Sequence, residues 1–136
     1  MSELYPQIEQ FYATQMQLLD DGAVQEWADT FTHDGVFEAN AHPEPARGRE
    51  AIASAAKRTV AELAEQGLVR RHWIGMLSVR PNDDGSVGAR SYAVVLQTPK
   101  GGQAAIRFST VCEDVLVRRD GGWQVLDRRV SRDDLT

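Results

Sequence analysis

The sequence predicts an α+β protein in which three N-terminal helices pack on a curved, mostly antiparallel sheet. Helical periodicity fills the chain before residue 67, and strand-forming residues fill it afterwards. The later strands are joined by tight turns, and such turns require neighbouring strands to run antiparallel. Helices followed by strands are typical of a layered α+β structure, and a strongly bent sheet would leave a cone with an open mouth.

Three segments of the first half have helical patterns. Residues 4–21 carry their apolar side chains on one face, which Gln15 interrupts. A short second helix is predicted over residues 24–31. The third helix, Arg49–Gln66, is rich in alanine and ends at Gly67, a residue type that favours the helix C-terminus.

The rest of the chain reads as strands and turns. "HDGVFEAN" turns at Asp34 and Gly35 and starts a short strand, whereas the two prolines of "AHPEPARG" indicate a loop. Four longer segments are rich in Val, Ile, Thr and aromatic residues, and glycine-containing turns ("PNDDGS", "PKGG" and "RDGG") separate them. The predicted strands are residues 69–80, 87–98, 103–119 and 123–132.

Composition narrows the classes of function. The net charge of −5 argues against nucleic acid and against anionic membranes, because both are bound through an excess of Lys and Arg. The single cysteine, Cys112, allows no disulfide within the chain and no cysteine-based zinc site. We see no signal peptide, no membrane-spanning run and no metal-ligand or phosphate-binding motif. We therefore expect a cytoplasmic protein that uses no metal and no cofactor.

Four motifs resemble a known superfamily. They are "LLDDGAVQEWADTFTHDGVFEA", "GREAI", "RRHWIGMLSV" and "GGWQVLDRRV", and together they span nearly the whole chain. The sequence resembles the nuclear transport factor 2 superfamily, and within it the SnoaL-like polyketide cyclases and the scytalone dehydratases. The resemblance implies one SnoaL-like domain over residues 1–136. It also implies a cofactor-free cyclase, dehydratase or isomerase that acts on an aromatic polyketide-like molecule in secondary metabolism.

The same resemblance implies a catalytic pair. "RHWIG" is similar to the strand on which scytalone dehydratases carry a catalytic histidine, here His72. The aspartate that holds the catalytic water in those enzymes falls on Asp20. Their second histidine has no counterpart, since Phe108 or a neighbour stands there, and the tyrosine before the aspartate is Leu19. The resemblance therefore carries over a His/Asp pair and not the full dehydratase site.

The residues themselves leave alternatives open for this pair. Strand alternation places His72 with Ile74 and Met76 on one face, and Trp73 with Leu77 on the other. An imidazole in the cone suits acid–base work near neutral pH, but a buried histidine bonded to a backbone carbonyl is the plainer interpretation. Asp20 ends a helix, where a carboxylate opposes the helix dipole. One interpretation is that Asp20 accepts a hydrogen bond from His72 or from the substrate. The other is that Asp20 is only one of the polar residues at the end of the helix.

The other candidates would bind substrate. Asp114 lies in mid-strand and needs a partner, which Arg90 or Arg129 could supply across strands. An ion pair is favoured over catalysis there, although a pocket arginine could hold an enolate or phenolate. Aromatic side chains could form a wall for a flat ligand, with core packing the favoured role for Trp27 and Phe31. The full set of binding candidates is Tyr12, Trp27, Phe31, Met76, Arg90, Tyr92, Thr110, Asp114 and Arg129.

Two further expectations concern partners. The same fold and histidine strand resemble the β subunits of ring-hydroxylating dioxygenases, so a non-catalytic binding protein or an auxiliary subunit of an oxygenase is the alternative function. We also expect a homodimer, because Trp73 and Leu77 would otherwise face solvent on the outer side of the sheet; a helix that covers this face is the alternative.

Overall fold

The computed structural model describes residues 3–136 and contains three α-helices and a six-stranded sheet. The elements are α1 Leu4–Asp20, α2 Val24–Ala28, β1 Phe31–Ala39, β2 Ala46–Arg47, α3 Arg49–Gln66, β3 Leu68–Pro81, β4 Val87–Pro99, β5 Ala105–Arg119, β6 Gly122–Arg132 and a 3₁₀ turn, Asp133–Leu135. The strand order is β2-β1-β6-β5-β4-β3, and every neighbouring pair is antiparallel except β1 and β6. This architecture confirms the predicted α+β class.

The sheet curves around the helices. Helix α1 packs on β3, and α3 contacts β1 and β2 at one edge of the sheet as well as β3 at the other. One helix therefore touches both edges, which is possible only because the sheet bends strongly. None of the helices between residues 3 and 136 is long and apolar enough to cross a bilayer.

The second helix is shorter than predicted, and β1 is longer. Helix α2 ends at Ala28, and Phe31 already belongs to β1, where it pairs in parallel with Val125 of β6. The predicted turn at Gly35 is a register shift inside β1, where a Cβ would stand only 3.1 Å from the Thr32 carbonyl oxygen. The local pattern failed here because a distant strand supplies the pairing.

The predicted loop before α3 also contains a short strand. Ala46 and Arg47 form β2, which pairs with Phe37 and Val36 of β1. In the second half, all four strands lie close to their predicted positions. Their connecting glycines, Gly85, Gly101 and Gly121, have positive φ angles of 80–89° as the turn chemistry requires.

A bulge in β3 reverses part of the predicted alternation. The register with β4 shifts between Gly75 and Ser78, and Met76 adopts a left-handed φ of 52°. Because one extra residue changes the parity of a strand, Met76 is 77% exposed and Leu77 packs against the core. The expectation that Met76 shares the interior with His72, and that Leu77 faces outward, is therefore wrong. Trp73 precedes the bulge and is 70% exposed as predicted.

Candidate active site

A cavity of about 830 Å³ opens at the mouth of the curved sheet. Its walls are α3, the C-terminal end of α1, the first residues of β3, and the loop that precedes β2. Helix α3 presents small and apolar side chains to it, including Ile52, Ala55 and Leu63. Asp20 and His72 also line the cavity, and their side chains are in contact.

Asp20 binds His72 through both carboxylate oxygens. The His72 ring Nδ1 donates to Oδ1 at 2.6 Å, and the His72 backbone N–H donates to Oδ2 at 3.0 Å. The Asp20 side chain is only 9% exposed and that of His72 is 23% exposed. Because β3 is an edge strand, its outward N–H has no partner strand, and the last residue of α1 supplies the acceptor instead.

This contact determines the protonation of the imidazole. A carboxylate only accepts hydrogen bonds, so Nδ1 is the protonated nitrogen of the neutral ring. Nε2 then carries the lone pair, and no residue between 3 and 136 makes a hydrogen bond to it. Asp20 thus holds His72 through its backbone N–H and through its ring Nδ1. The other ring nitrogen, Nε2, is basic and free in the cavity.

Asp114 belongs to a different, closed network in the core. Arg128 lies directly opposite it on β6 and donates from Nε to Oδ1 at 3.0 Å and from Nη2 to Oδ2 at 2.9 Å. The Tyr12 hydroxyl donates to Asp114 Oδ2 at 2.6 Å, and Arg128 Nη2 also donates to Gln15 Oε1 at 2.7 Å. Gln15 therefore interrupts the apolar face of α1 in order to satisfy a buried guanidinium.

The predicted partners of Asp114 are wrong for a geometric reason. The register of β5 and β6 shifts between Val115 and Leu116, so that Val125 and Arg128 both point inward. Simple alternation from Val125 would have turned Arg129 inward, but Arg129 is exposed. Arg90, the other proposed partner, is also exposed.

The titratable groups around Asp114, namely Tyr12, Cys112 and Arg128, each keep one protonation state near neutral pH. Burial, reinforced by Asp114, raises the pKa of the Tyr12 hydroxyl far above its ordinary value, and the same two causes raise the pKa of the Cys112 thiol. Burial opposes the charge of Arg128, but the adjacent Asp114 holds its pKa above the usual range. These groups do not titrate near neutral pH, which indicates a structural role.

Most of the predicted binding residues lie outside the cavity. Thr110 donates its hydroxyl to the Ala93 carbonyl at 2.8 Å inside the core, and Phe31 is fully buried. Arg90 lies over the Tyr92 ring at 5.7 Å on the outer face of the sheet. Of the predicted site residues, those that line the cavity are Asp20, Trp27 and His72. Those outside it are Tyr12, Phe31, Met76, Arg90, Tyr92, Thr110, Asp114 and Arg129.

The sequence prediction missed several cavity residues. Arg70 lies two positions before His72 on β3 and lines the same cavity, so alternation alone would have found it. Phe37 and His42 line the other side, but only the pairing of β1 with β2 and β6 brings them there. No three His, Cys, Asp or Glu side chains between residues 3 and 136 gather as a metal site would require.

Comparison with known proteins agrees with this architecture. The sequence profile of the SnoaL-like domain matches residues 1–129. The chain belongs to the SnoaL-like family. Its fold is that of the nuclear transport factor 2-like superfamily. No curated protein matches the sequence.

Three solved structures illustrate the likeness. Aln2 from a Streptomyces species is 32% identical, with a TM-score of 0.92 over 99% of this chain and 94% of that chain. ActVI-ORFA from Streptomyces coelicolor is 31% identical, with a TM-score of 0.90 over 98% and 97%. A protein from Catenulispora acidiphila, solved in complex with S-DNPA, is 39% identical, with a TM-score of 0.84 over 98% and 96%.

A more distant likeness concerns the fold. The β subunit of a putative aromatic-ring-hydroxylating dioxygenase from Novosphingobium aromaticivorans is 21% identical, with a TM-score of 0.76 over 94% of this chain and 88% of that chain. At this identity the likeness shows a shared fold alone.

The buried ion pair generates a prediction about stability. Arg128→Met leaves the Asp114 carboxylate buried without its cation, so we expect the free energy of unfolding to fall by about 3–5 kcal/mol. Arg129→Met is the matched control, because the neighbouring side chain is exposed and its loss should change stability by less than about 0.5 kcal/mol. Urea unfolding of both variants measures the difference, and equal effects would contradict the structural role of the pair.

Proposed function

We propose that the chain is a cofactor-free enzyme that cyclises, dehydrates or isomerises an aromatic polyketide-like molecule. His72 is the acid–base residue, and Asp20 orients it. The observation that carries this proposal is the two-point contact of Asp20 with His72, which leaves a basic nitrogen free in the cavity. The proposal applies to residues 1–136 as a single SnoaL-like domain.

The three reactions share a first step that this pair can perform. Each begins when a proton leaves a carbon next to a carbonyl group, which forms an enolate. Nε2 of His72 takes that proton, and the Asp20 carboxylate stabilises the resulting imidazolium through Nδ1–H. The imidazolium then returns the proton, either to an oxygen that leaves in a dehydration or to the oxygen or carbon that completes a cyclisation or isomerisation.

The walls of the cavity support an aromatic ligand. Phe37 contributes aromatic surface, the largely buried Trp27 adds only a small part of its ring, and α3 contributes small side chains that leave room for fused rings. A ligand in this space would exclude water from the Asp20–His72 contact and strengthen it electrostatically. The S-DNPA complex of the relative from Catenulispora acidiphila supports the binding of a small molecule by this kind of domain.

The alternative function is a non-catalytic binding protein or an auxiliary subunit of an oxygenase. An auxiliary subunit would use the fold only as a scaffold. A scaffold needs no open space around a histidine, whereas this cavity contains both His72 and Asp20. The geometry therefore favours the enzyme. The buried free thiol of Cys112 suits a reducing compartment, so we place the activity in the cytoplasm.

We also propose that the chain forms a homodimer through the outer face of the sheet. Trp73 and Tyr92 lie there on adjacent strands and are 70% and 47% exposed, and Met76 joins them because of the bulge in β3. Such a patch is unfavourable in water unless a partner covers it. Leu77, which we expected to contribute, packs inward instead.

The catalytic proposal predicts exchange of acidic carbon-bound protons. With 2-tetralone as probe, the protein should accelerate the exchange of protons for deuterium at the carbon between the carbonyl group and the aromatic ring. The loss of the ¹H NMR signal of this carbon's protons in D₂O measures the rate. His72→Gln should lower this rate by about 10²–10⁴ because the base is lost. Asp20→Asn should cause a smaller loss of rate. His72 is still present as the base, but the carboxylate that keeps the proton on Nδ1 is gone.

The matched control for this experiment is His33→Gln. His33 is an exposed histidine on β1 outside the cavity, so its substitution should leave the exchange rate unchanged. If His72→Gln keeps the full exchange rate, or if the unaltered protein does not accelerate exchange, the catalytic proposal fails and the auxiliary function replaces it.

The dimer proposal predicts a change of mass in solution. Sedimentation equilibrium at micromolar concentration should give about twice the 15.1 kDa of one chain, and Trp73→Glu should give the single-chain mass because a charge would be buried at the interface. Tyr5→Glu alters an exposed aromatic residue on α1 and should leave the dimer intact. A monomer without any substitution would refute the proposal.

A further inference from the structure

Arg70 is a cation of the cavity that no part of the proposed acid–base chemistry uses. It lies two residues before His72 on β3, so both side chains leave the strand on the same face, with their Cα atoms about 6–7 Å apart. Both line the cavity, and Arg70 is half-buried.

The contacts of Arg70 leave its charge without a counterion. Its Nε donates to Gln97 Oε1 at 2.9 Å, and its guanidinium lies over the Phe108 ring at 5.3 Å. No salt bridge to Arg70 exists within residues 3–136. Among the other arginines that are at least half-buried, Arg128 binds Asp114 and Arg132 binds Asp134, whereas Arg49 donates to the Phe31 carbonyl.

Two further arginines lie on the same aromatic ring as Arg70; Asp134 balances the charge of Arg132, whereas Arg107 makes no salt bridge within residues 3–136. Arg107 and Arg132 also lie over the Phe108 ring, at 4.3 and 4.4 Å, so three guanidinium groups surround one aromatic side chain. Burial and the charge of Arg107 lower the pKa of Arg70, which means that its positive charge is unfavourable where it lies. A bound anion would relieve this cost.

We propose that Arg70 binds the carboxylate of a fused-ring aromatic acid and thereby positions the rings against His72. This inference rests on the proposed function of the cavity and names its substrate class. Nε of Arg70 already donates to Gln97, so its two terminal nitrogens, Nη1 and Nη2, can donate a parallel pair of hydrogen bonds to a ligand. A planar carboxylate matches that fork, whereas a carbonyl or hydroxyl would use only part of it.

The acidic side chains of the cavity leave this site accessible to an anion. Asp20 has both oxygens occupied by hydrogen bonds from His72. Asp21 and Glu44 are exposed, so water screens their charges. Arg58 and Lys100 are also exposed lining residues, and they balance those two acids. Arg70 is therefore the one half-buried arginine or lysine among the lining residues between 3 and 136, and no counterion balances it.

The test compares two probes of the same shape, 2-naphthoate and the uncharged 2-naphthamide, by isothermal titration calorimetry. The protein should bind 2-naphthoate about 10–100-fold more tightly than 2-naphthamide, the range for a charge-assisted contact. Arg70→Gln should remove this preference while leaving the affinity for 2-naphthamide nearly unchanged, which also shows that the variant is folded. Arg70→Lys keeps the charge but not the fork and should retain only part of the preference.

Arg107→Gln is the matched control, because Arg107 also stacks on Phe108 but does not line the cavity. It should keep the preference for 2-naphthoate. Equal affinity for the two probes, no binding of either probe, or the same loss in Arg107→Gln as in Arg70→Gln would each overturn the proposal.

The proposal and the catalytic function can fail separately. A protein that exchanges the protons of 2-tetralone but shows no preference for 2-naphthoate refutes the carboxylate site alone. A protein that prefers 2-naphthoate but exchanges no protons refutes the catalysis and leaves the carboxylate site in place.

Discussion

The contact between Asp20 and His72 is the constraint on which the candidate site depends. It joins the last residue of α1 to an outward N–H of the edge strand β3, and it holds the imidazole in the same place. A carboxylate at a helix C-terminus opposes the helix dipole, and a buried carboxylate is costly to desolvate. Two hydrogen bonds from one residue offset both costs. The position of the ring and the choice of its basic nitrogen follow from this contact.

A second polar cluster lies in the core, and none of its members lines the cavity. The Asp114–Arg128 pair, with Tyr12 and Gln15, fills the interior between α1 and the central strands. Both carboxylate oxygens of Asp114 and two of the three guanidinium nitrogens of Arg128 have partners within it, so it contributes a defined packing arrangement and no reactive group. The chain thus has two separate buried polar contacts: the Asp114–Arg128 ion pair is closed in the core, and the Asp20–His72 hydrogen bond is open to a ligand.

Local chemistry made much of the fold predictable from the sequence. The alanine-rich α3 ends at Gly67, and the glycines of the β-turns have the positive φ angles that their positions indicate. The errors arose where strands change register. Leu77 points inward because of the bulge at Met76, and Arg128 replaces Arg129 because of the shift before Leu116. An inserted residue leaves no periodic signal of its own, so alternation carried past it assigns the wrong face.

The site was predictable to a different extent. The resemblance selected His72 and Asp20, and the structure places their side chains in contact. Most of the other candidates were chosen as polar or aromatic residues on strands, and they prove to be core or surface residues. The cavity wall comes instead from α3 and from the loop before β2. Both are far from His72 in the sequence, so no local pattern indicates that they lie near it.

The most direct test of this account is the tautomer of His72, measured by ¹H–¹⁵N NMR correlation at about pH 8.5, where an ordinary imidazole is neutral. We expect that Nδ1 carries the proton, that Nε2 is the unprotonated nitrogen, and that Asp20→Asn abolishes this preference. A His72 ring protonated at Nε2, or a ring whose tautomers are the same with and without the Asp20 carboxylate, would contradict it.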